Sequence, residues 1–133
     1  MSNIRNNISK KKGFRKRLNS FGYAFRGLFS LIKSEPNAQI HCIAAIIAIA
    51  LGFFFKISAI EWSFIIFAIA IVLAAEGFNT VIEKLVDHLF PDYHETAKIA
   101  KDVAAGAVLI SAIAALTIGI IIFAPKIIAY FSA

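Results

Sequence analysis

The sequence predicts an all-α integral membrane protein with three transmembrane helices and a preceding amphipathic surface helix. Hydrophobic residues make up 59% of the 133-residue chain, which is typical of membrane proteins. Three long apolar stretches follow one another along the chain. Each is close to the roughly 20 residues that a helix needs to cross a hydrocarbon core. A chain of this length is expected to form one domain.

The polar and apolar residues near the N-terminus predict a surface helix. Residues 1–13 are polar and basic, and we expect a disordered arm followed by one domain over 14–133. From Phe14 to Ile32, bulky apolar residues recur at three- and four-residue steps, while Arg and Lys occupy the other side. This pattern predicts a cationic amphipathic helix over about 14–34 that lies in the membrane interface.

A proline turn separates this surface helix from the first span. Pro36 disfavours helical geometry at the preceding residue and can begin the next helix, which puts Glu35 at a corner. The three spans are predicted at about 40–57, 60–79 and 103–124. Three thin spans enclose little volume alone, so we also expect a homo-oligomer.

The basic residues predict the orientation in the membrane. Nine of the fourteen Lys and Arg residues precede the first span, which by the positive-inside rule places the N-terminus in the cytoplasm. The loop between the second and third spans is then also cytoplasmic. The first apolar run begins too far from the N-terminus for a cleavable signal peptide. We expect the basic excess to contact anionic lipid headgroups of the cytoplasmic membrane, and we expect no nucleic-acid partner.

The second span is predicted to continue into a helix that carries polar residues on one stripe. Glu76, Asn79, Glu83 and Asp87 are separated by three- and four-residue steps and therefore share one helix face. Glu76 falls at or just inside the bilayer boundary, where a buried carboxylate is costly and is a functional candidate. A solvated helix end would explain Asp87, but it explains Glu76 poorly.

A short connection is predicted between the second and third spans. Pro91 is expected to end the second helix. Asp92 and Glu95 match a capping box, so the next helix is predicted to begin near Tyr93. This connection brings the residues around Lys101 close to the acidic stripe.

Carboxylates, an amide and a lysine thus gather near the cytoplasmic membrane surface. Their oxygens suit Mg²⁺, a lysine can neutralise transferred phosphate, and a carboxylate can accept the proton of an attacking hydroxyl. The residues concerned are Glu35, Glu76, Asn79, Glu83, Asp87, Lys101 and Asp102. The sequence contains no GxxxxGK[ST] loop and no protein-kinase motif, which excludes the standard soluble kinase folds. The single Cys42 and the scattered histidines show no zinc-like spacing.

Two other functions use membrane helices with acidic residues. A transport or proton-relay subunit would distribute ionisable groups through the depth of the bilayer, whereas the middles of all three spans lack them. A non-catalytic assembly protein would not need acids and a lysine that converge at one surface. We therefore favour phosphoryl transfer at the membrane surface, and keep the transport or relay subunit as the alternative.

Four short segments match motifs of a known family. The run EGFNTVIEKLVD, from Glu76, follows E-x-x-N-[ST]-x-[IV]-E-x-x-x-D. The segment PDYHE, from Pro91, contains Y-H-E, and AKDVAAGAVL, from Ala100, follows A-K-D-x-x-x-x-A-V-L. The segment GYAFRGL, from Gly22, follows G-[YF]-x-x-x-G-[LI]. With these motifs, about residues 14–125 resemble the prokaryotic diacylglycerol kinase family, which includes undecaprenol kinases.

The resemblance implies a homotrimer in the bacterial inner membrane that transfers phosphate from ATP, with Mg²⁺, to a lipid alcohol. It implies that Glu76 is the general base on the lipid hydroxyl, and that Glu35 and Glu83 hold Mg²⁺. Asn79 and Asp87 would orient the site. The ATP-contacting residues that it implies are Lys16, Tyr23, Glu35, Glu83, Asp92, Tyr93, His94, Lys101 and Asp102.

Three positions depart from the better-studied proteobacterial members of the family. Lys16 stands where those members have an Arg, His41 where they have a Glu, and Ala104 where they have a Gly. These departures resemble the undecaprenol-kinase branch. We expect His41 to line the lipid site together with Glu76, and undecaprenol to be preferred over diacylglycerol.

Overall fold

The computed structural model describes residues 19–132, and this part of the chain contains four α-helices and no strand. Helix α1 covers 19–34. It is followed by α2 (Pro36–Phe54), α3 (Ala59–Leu89) and α4 (Glu95–Phe131). The last three are long and apolar enough to cross a membrane. The all-α prediction with three spans is therefore confirmed.

Helix α1 and helices α2–α4 belong to two separate compact units, which divide after Ser34. On α1, the apolar side chains of Phe21, Phe25 and Leu28 are exposed, as expected of a helix whose apolar side faces lipid. The basic arm and the start of the predicted surface helix lie outside the described residues. The single domain over 14–133 stays a prediction.

Among helices α2–α4, local sequence signals explain where α2 and α3 begin. Pro36 is the first residue of α2, and Glu35 is its N-cap in extended backbone, as predicted for a residue before proline. Helix α3 begins with a capping box that the sequence analysis missed. The Ser58 hydroxyl accepts from the Glu61 N–H at 3.3 Å, and the Glu61 carboxylate accepts from the Ser58 N–H at 2.7 Å.

The predicted capping box at the start of the last helix was wrong, and the helix begins two residues after Tyr93. Helix α4 begins at Glu95, its N-cap is His94, and no side chain caps it. Asp92 cannot act as the N-cap, because the chain uses all of residues 90–94 to reverse direction after α3 ends at Leu89.

Two ion pairs join the antiparallel helices α3 and α4 near opposite ends. Lys101 Nζ lies 2.8 Å from Asp87 Oδ1, and Lys126 Nζ lies 2.7 Å from Glu61 Oε1. Glu61 and Asp87 are 26 residues apart on α3, which corresponds to about 39 Å of helix. A bilayer with its headgroup regions is about 40–45 Å thick. Each ion pair therefore falls at the level of one polar surface of the membrane.

The hydrophobic core of α2–α4 lies toward the end opposite the acidic stripe. Its buried residues are Ile57, Ile65, Ile122 and Phe123. Gly52 of α2 packs closely against the partly buried ring of Trp62, since an added Cβ would lie 2.8 Å from Trp62 Cη2. Gly119 of α4, by contrast, has open space at the Cβ position. Only the first of these two small residues brings helices together within the chain.

Gly52→Ala is expected to lower the free energy of unfolding by about 1–3 kcal/mol, because the new methyl group overlaps the Trp62 ring. That ring also packs on Phe53 with centroids 4.9 Å apart, so it cannot shift without loss of this contact. Thermal unfolding in detergent micelles measures the effect. Gly119→Ala is the matched control and should be as stable as the parent, and equal stability of the two variants would contradict the packing argument.

Candidate active site

The polar stripe on α3 is graded in burial. Glu76 is 2% exposed and Asn79 is 6% exposed, whereas Glu83 is half-buried and Asp87 is exposed. Glu76 lies seventeen residues after Ala59, or about 26 Å along the helix. A hydrocarbon core is about 30 Å thick, so Glu76 falls near the boundary at the far side. A solvated helix end therefore accounts for Asp87 but not for Glu76.

Two buried oxygens of this stripe have no hydrogen-bond partner among the described residues. They are Glu76 Oε2 and Asn79 Oδ1. The Asn79 amide group donates to Glu83 Oε1 at 3.0 Å, which fixes the orientation of the Asn79 side chain. A buried polar atom without a partner costs about 1–3 kcal/mol. Such atoms in a folded protein are explained by a catalytic role, by local strain, or by a bound water or ion.

The start of α2 brings further predicted site residues to the buried carboxylate. His41, Glu83 and Glu35 are all close enough to Glu76 to interact with it electrostatically. Ala38, which lies between Glu35 and His41 in the sequence, is fully buried. The structure therefore brings together the predicted base, the two predicted metal ligands and the predicted lipid contact.

Two lysines meet the acidic residues from different sides. Lys84 directly follows Glu83 on α3, and its Nζ lies 2.9 Å from Glu35 Oε1. Lys101 Nζ, from α4, pairs with Asp87 and also interacts electrostatically with Glu83. The expected approach of Lys101 to the stripe is therefore confirmed. The sequence analysis did not anticipate any role for Lys84.

The connection between α3 and α4 forms an open pocket of about 410 Å³. It is lined by five of the predicted ATP-contacting residues: Asp92, Tyr93, His94, Lys101 and Asp102. Asp87 and Lys98 also line it, and the rings of Phe90 and His94 pack with centroids 4.8 Å apart. The volume falls in the usual range of small-molecule sites.

The remaining predicted contacts lie elsewhere in the chain. Tyr23 belongs to α1, in the other compact unit, and its ring contacts the guanidinium of Arg26 at 5.2 Å. Lys16 lies outside the described residues.

A second, apolar cavity of about 460 Å³ lies between α2, α3 and α4. His41 lines it, so the cavity opens beside the site, and its other walls are almost entirely Ala, Gly, Ile and Leu. The sequence analysis missed this cavity. Its signal in the sequence was small residues at helical spacing, such as Ala115 and Gly119, both of which line the cavity.

The carboxylates of Glu35 and Glu83 suit a Mg²⁺ ion that substrate phosphates and water also coordinate, rather than a metal ion that only protein side chains hold. Among the described residues, no group of three or more His, Cys, Asp or Glu side chains is arranged to hold a metal ion. Mg²⁺ is usually held by one or two carboxylates together with substrate phosphates and water. Glu35 and Glu83, which both lie close to Glu76, can supply those two carboxylates, so this donor set fits.

Between the two polar ends, the described helices carry no ionisable group that a relay would need. No Asp, Glu, Lys, Arg or His occurs between Glu61 and Glu76 of α3 or between Asp102 and Lys126 of α4. The transport or proton-relay alternative therefore gains no support from this arrangement.

Comparisons with known proteins show the family of this chain. The family model described as prokaryotic diacylglycerol kinase matches residues 22–123. An undecaprenol kinase of Bacillus subtilis is 41% identical over 108 residues, which cover 81% of this chain and 88% of that protein. A diacylglycerol kinase of Synechocystis is 38% identical over 75% of this chain and 58% of its own length. A diacylglycerol kinase of Escherichia coli is 30% identical over 77% of this chain and 84% of its own. The chain belongs to the prokaryotic diacylglycerol kinase family and is a multi-pass membrane lipid kinase.

Proposed function

We propose that this kinase transfers the γ-phosphate of ATP, with Mg²⁺, to the hydroxyl of a membrane lipid alcohol at the cytoplasmic surface of the inner membrane. The observation that carries this proposal is the buried, unpartnered Oε2 of Glu76 at the membrane boundary. An open pocket with charged lining residues begins at Asp87, the last residue of the stripe, and an apolar cavity opens beside His41.

Glu76 is proposed to act as the general base. The side chain lies near the membrane boundary, at the depth of a lipid hydroxyl, and its burial keeps competing water away. Asn79 Oδ1 offers a second acceptor beside it, because the amide group of the same side chain is held by Glu83. Together these two oxygens can orient the hydroxyl and take its proton.

Glu35 and Glu83 are proposed to hold Mg²⁺, which when bound would neutralise charge on the phosphates. Lys101 is positioned by its 2.8 Å contact with Asp87 and can donate to phosphate oxygens at the same pocket. Asp92, Tyr93, His94 and Asp102 would complete the nucleotide site. Tyr23 and Lys16 are proposed as further ATP contacts from the N-terminal part of the chain.

The lipid acceptor is proposed to be undecaprenol. The cavity beside His41 has few polar walls, which suits a polyprenol, since its only polar group is one hydroxyl and it has no ester carbonyls. The imidazole of His41 also presents different hydrogen-bonding groups from the carboxylate that the better-studied proteobacterial members have at this position. The name of the Bacillus subtilis relative supports the same choice.

The preference is tested by the ratio of kcat/KM for undecaprenol and diacylglycerol in the same mixed micelles, with radiolabelled ATP. We expect the ratio to favour undecaprenol, and His41→Glu to shift it toward diacylglycerol while the enzyme still phosphorylates both lipids. A tenfold preference of the parent protein for diacylglycerol, about 1.4 kcal/mol of transition-state discrimination, would reverse this assignment. The lipid-kinase assignment would stand.

The exposed apolar side chains and the basic residues bear on the oligomeric state and on the orientation in the membrane. Large apolar side chains remain exposed along α2–α4, including Ile46, Phe67 and Ile121, and they can contact lipid or other copies of the chain. We propose a homotrimer, as the family resemblance implies. We propose that its N-terminus lies in the cytoplasm, because the basic residues cluster before the first span.

A further inference from the structure

A lysine is paired with one of the proposed metal ligands. Lys84 directly follows Glu83 on α3, and its Nζ lies 2.9 Å from Oε1 of Glu35 at the start of α2. The Lys84 side chain is 62% exposed and that of Glu35 is 22% exposed. One ammonium group thus lies against the first proposed ligand and is adjacent in sequence to the second.

The two proposed ligands are occupied by donors of different kinds. Glu83 accepts from the neutral amide of Asn79, whereas Glu35 is paired with a cation. A divalent cation on Glu35 would compete with Lys84 for the same carboxylate, and two cations at contact distance repel each other. The Lys84 end of this ion pair is largely exposed and its side chain is long and flexible, so Lys84 can leave Glu35 at small cost.

We propose that Lys84 is a positioning residue that neutralises Glu35 in the metal-free enzyme and must move away before Glu35 can coordinate a cation. Lys84 therefore lowers the affinity of the site for the free cation. The inference rests on the proposed function, because it takes Glu35 as a Mg²⁺ ligand.

The test is a titration of the purified full chain in detergent micelles with Mn²⁺, without nucleotide or lipid, in which electron paramagnetic resonance measures free Mn²⁺. Lys84→Gln is expected to bind Mn²⁺ about two- to fivefold more tightly than the parent, because the ammonium group that competes with the cation for Glu35 has been removed. Lys84→Arg keeps the charge and the pairing, and is expected to restore the parent affinity. Lys56→Gln removes the same charge at the α2–α3 turn and should change nothing.

Two further variants separate this inference from the proposed function. Glu35→Gln is expected to weaken Mn²⁺ binding and to remove the effect of Lys84→Gln in the double variant. If Glu35→Gln weakens binding but Lys84→Gln binds no more tightly than the parent, the role of Lys84 is overturned and the metal site stands. If Glu35→Gln and Glu83→Gln both leave Mn²⁺ binding unchanged, the metal site and the role of Lys84 both fall.

Discussion

Glu76→Gln is expected to lower the rate of phosphoryl transfer by about 10²-fold or more, because glutamine keeps the shape of the side chain but cannot accept a proton. Nucleotide binding and folding should survive. The Glu76 side chain is buried and its Oε2 has no partner within the described residues, so the neutral amide breaks no ion pair there. Initial rates with radiolabelled ATP in lipid micelles, and nucleotide binding measured separately, test the prediction.

The matched control for this variant is Glu61→Gln, the same chemical change on the same helix. Glu61 pairs with Lys126 at the opposite end of α3, far from the stripe. This control should keep the parental rate, although it can lower stability through loss of the ion pair. Near-normal turnover by the Glu76 variant would exclude Glu76 as the base.

Changing Glu35 or Glu83 to Gln is expected to raise the Mg²⁺ concentration needed for half-maximal activity by about tenfold or more, because each change removes one anionic oxygen ligand. The KM for the lipid should change little, since the lipid is proposed to bind on the opposite side of Glu76. Activity measured against Mg²⁺ at saturating ATP and lipid separates the two effects.

Glu95→Gln provides the control for both of these variants. Glu95 lies in the first turn of α4, at the same end of the molecule, and is exposed. Its replacement is expected to leave the metal dependence unchanged. If neither the Glu35 nor the Glu83 variant shifts the Mg²⁺ titration relative to this control, both residues are excluded from the metal site.

Local patterns in the sequence were sufficient for the elements that position the site. The stripe from Glu76 to Asp87 follows from helical spacing, because residues three and four apart share a face wherever the helix lies. The corner at Glu35 follows from Pro36, since the steric restriction on the preceding residue is also local. The family resemblance was confirmed by the comparisons, but the roles it implies for individual residues stay predictions.

Two local features were nevertheless misjudged. The capping box of Ser58 and Glu61 stood in the sequence as S-x-x-E before an apolar run, and it was overlooked. The similar pattern of Asp92 and Glu95 was accepted, although no cap forms there. The two differ because Ser58 directly precedes a helix, whereas Asp92 lies within the reversal between two helices.

The sequence by itself determined the number of spans, the helical stripe and the separation of polar ends from an apolar middle, because apolar length and helical spacing are properties of neighbouring residues. Only the tertiary structure decided which charged side chains meet. Lys84 pairs with Glu35 and Lys101 with Asp87, and these choices depend on the rotation and tilt of each helix against the next. The cavity beside His41 depends on the same packing. Packing angles arise from contacts between residues far apart in the chain, which no local pattern encodes.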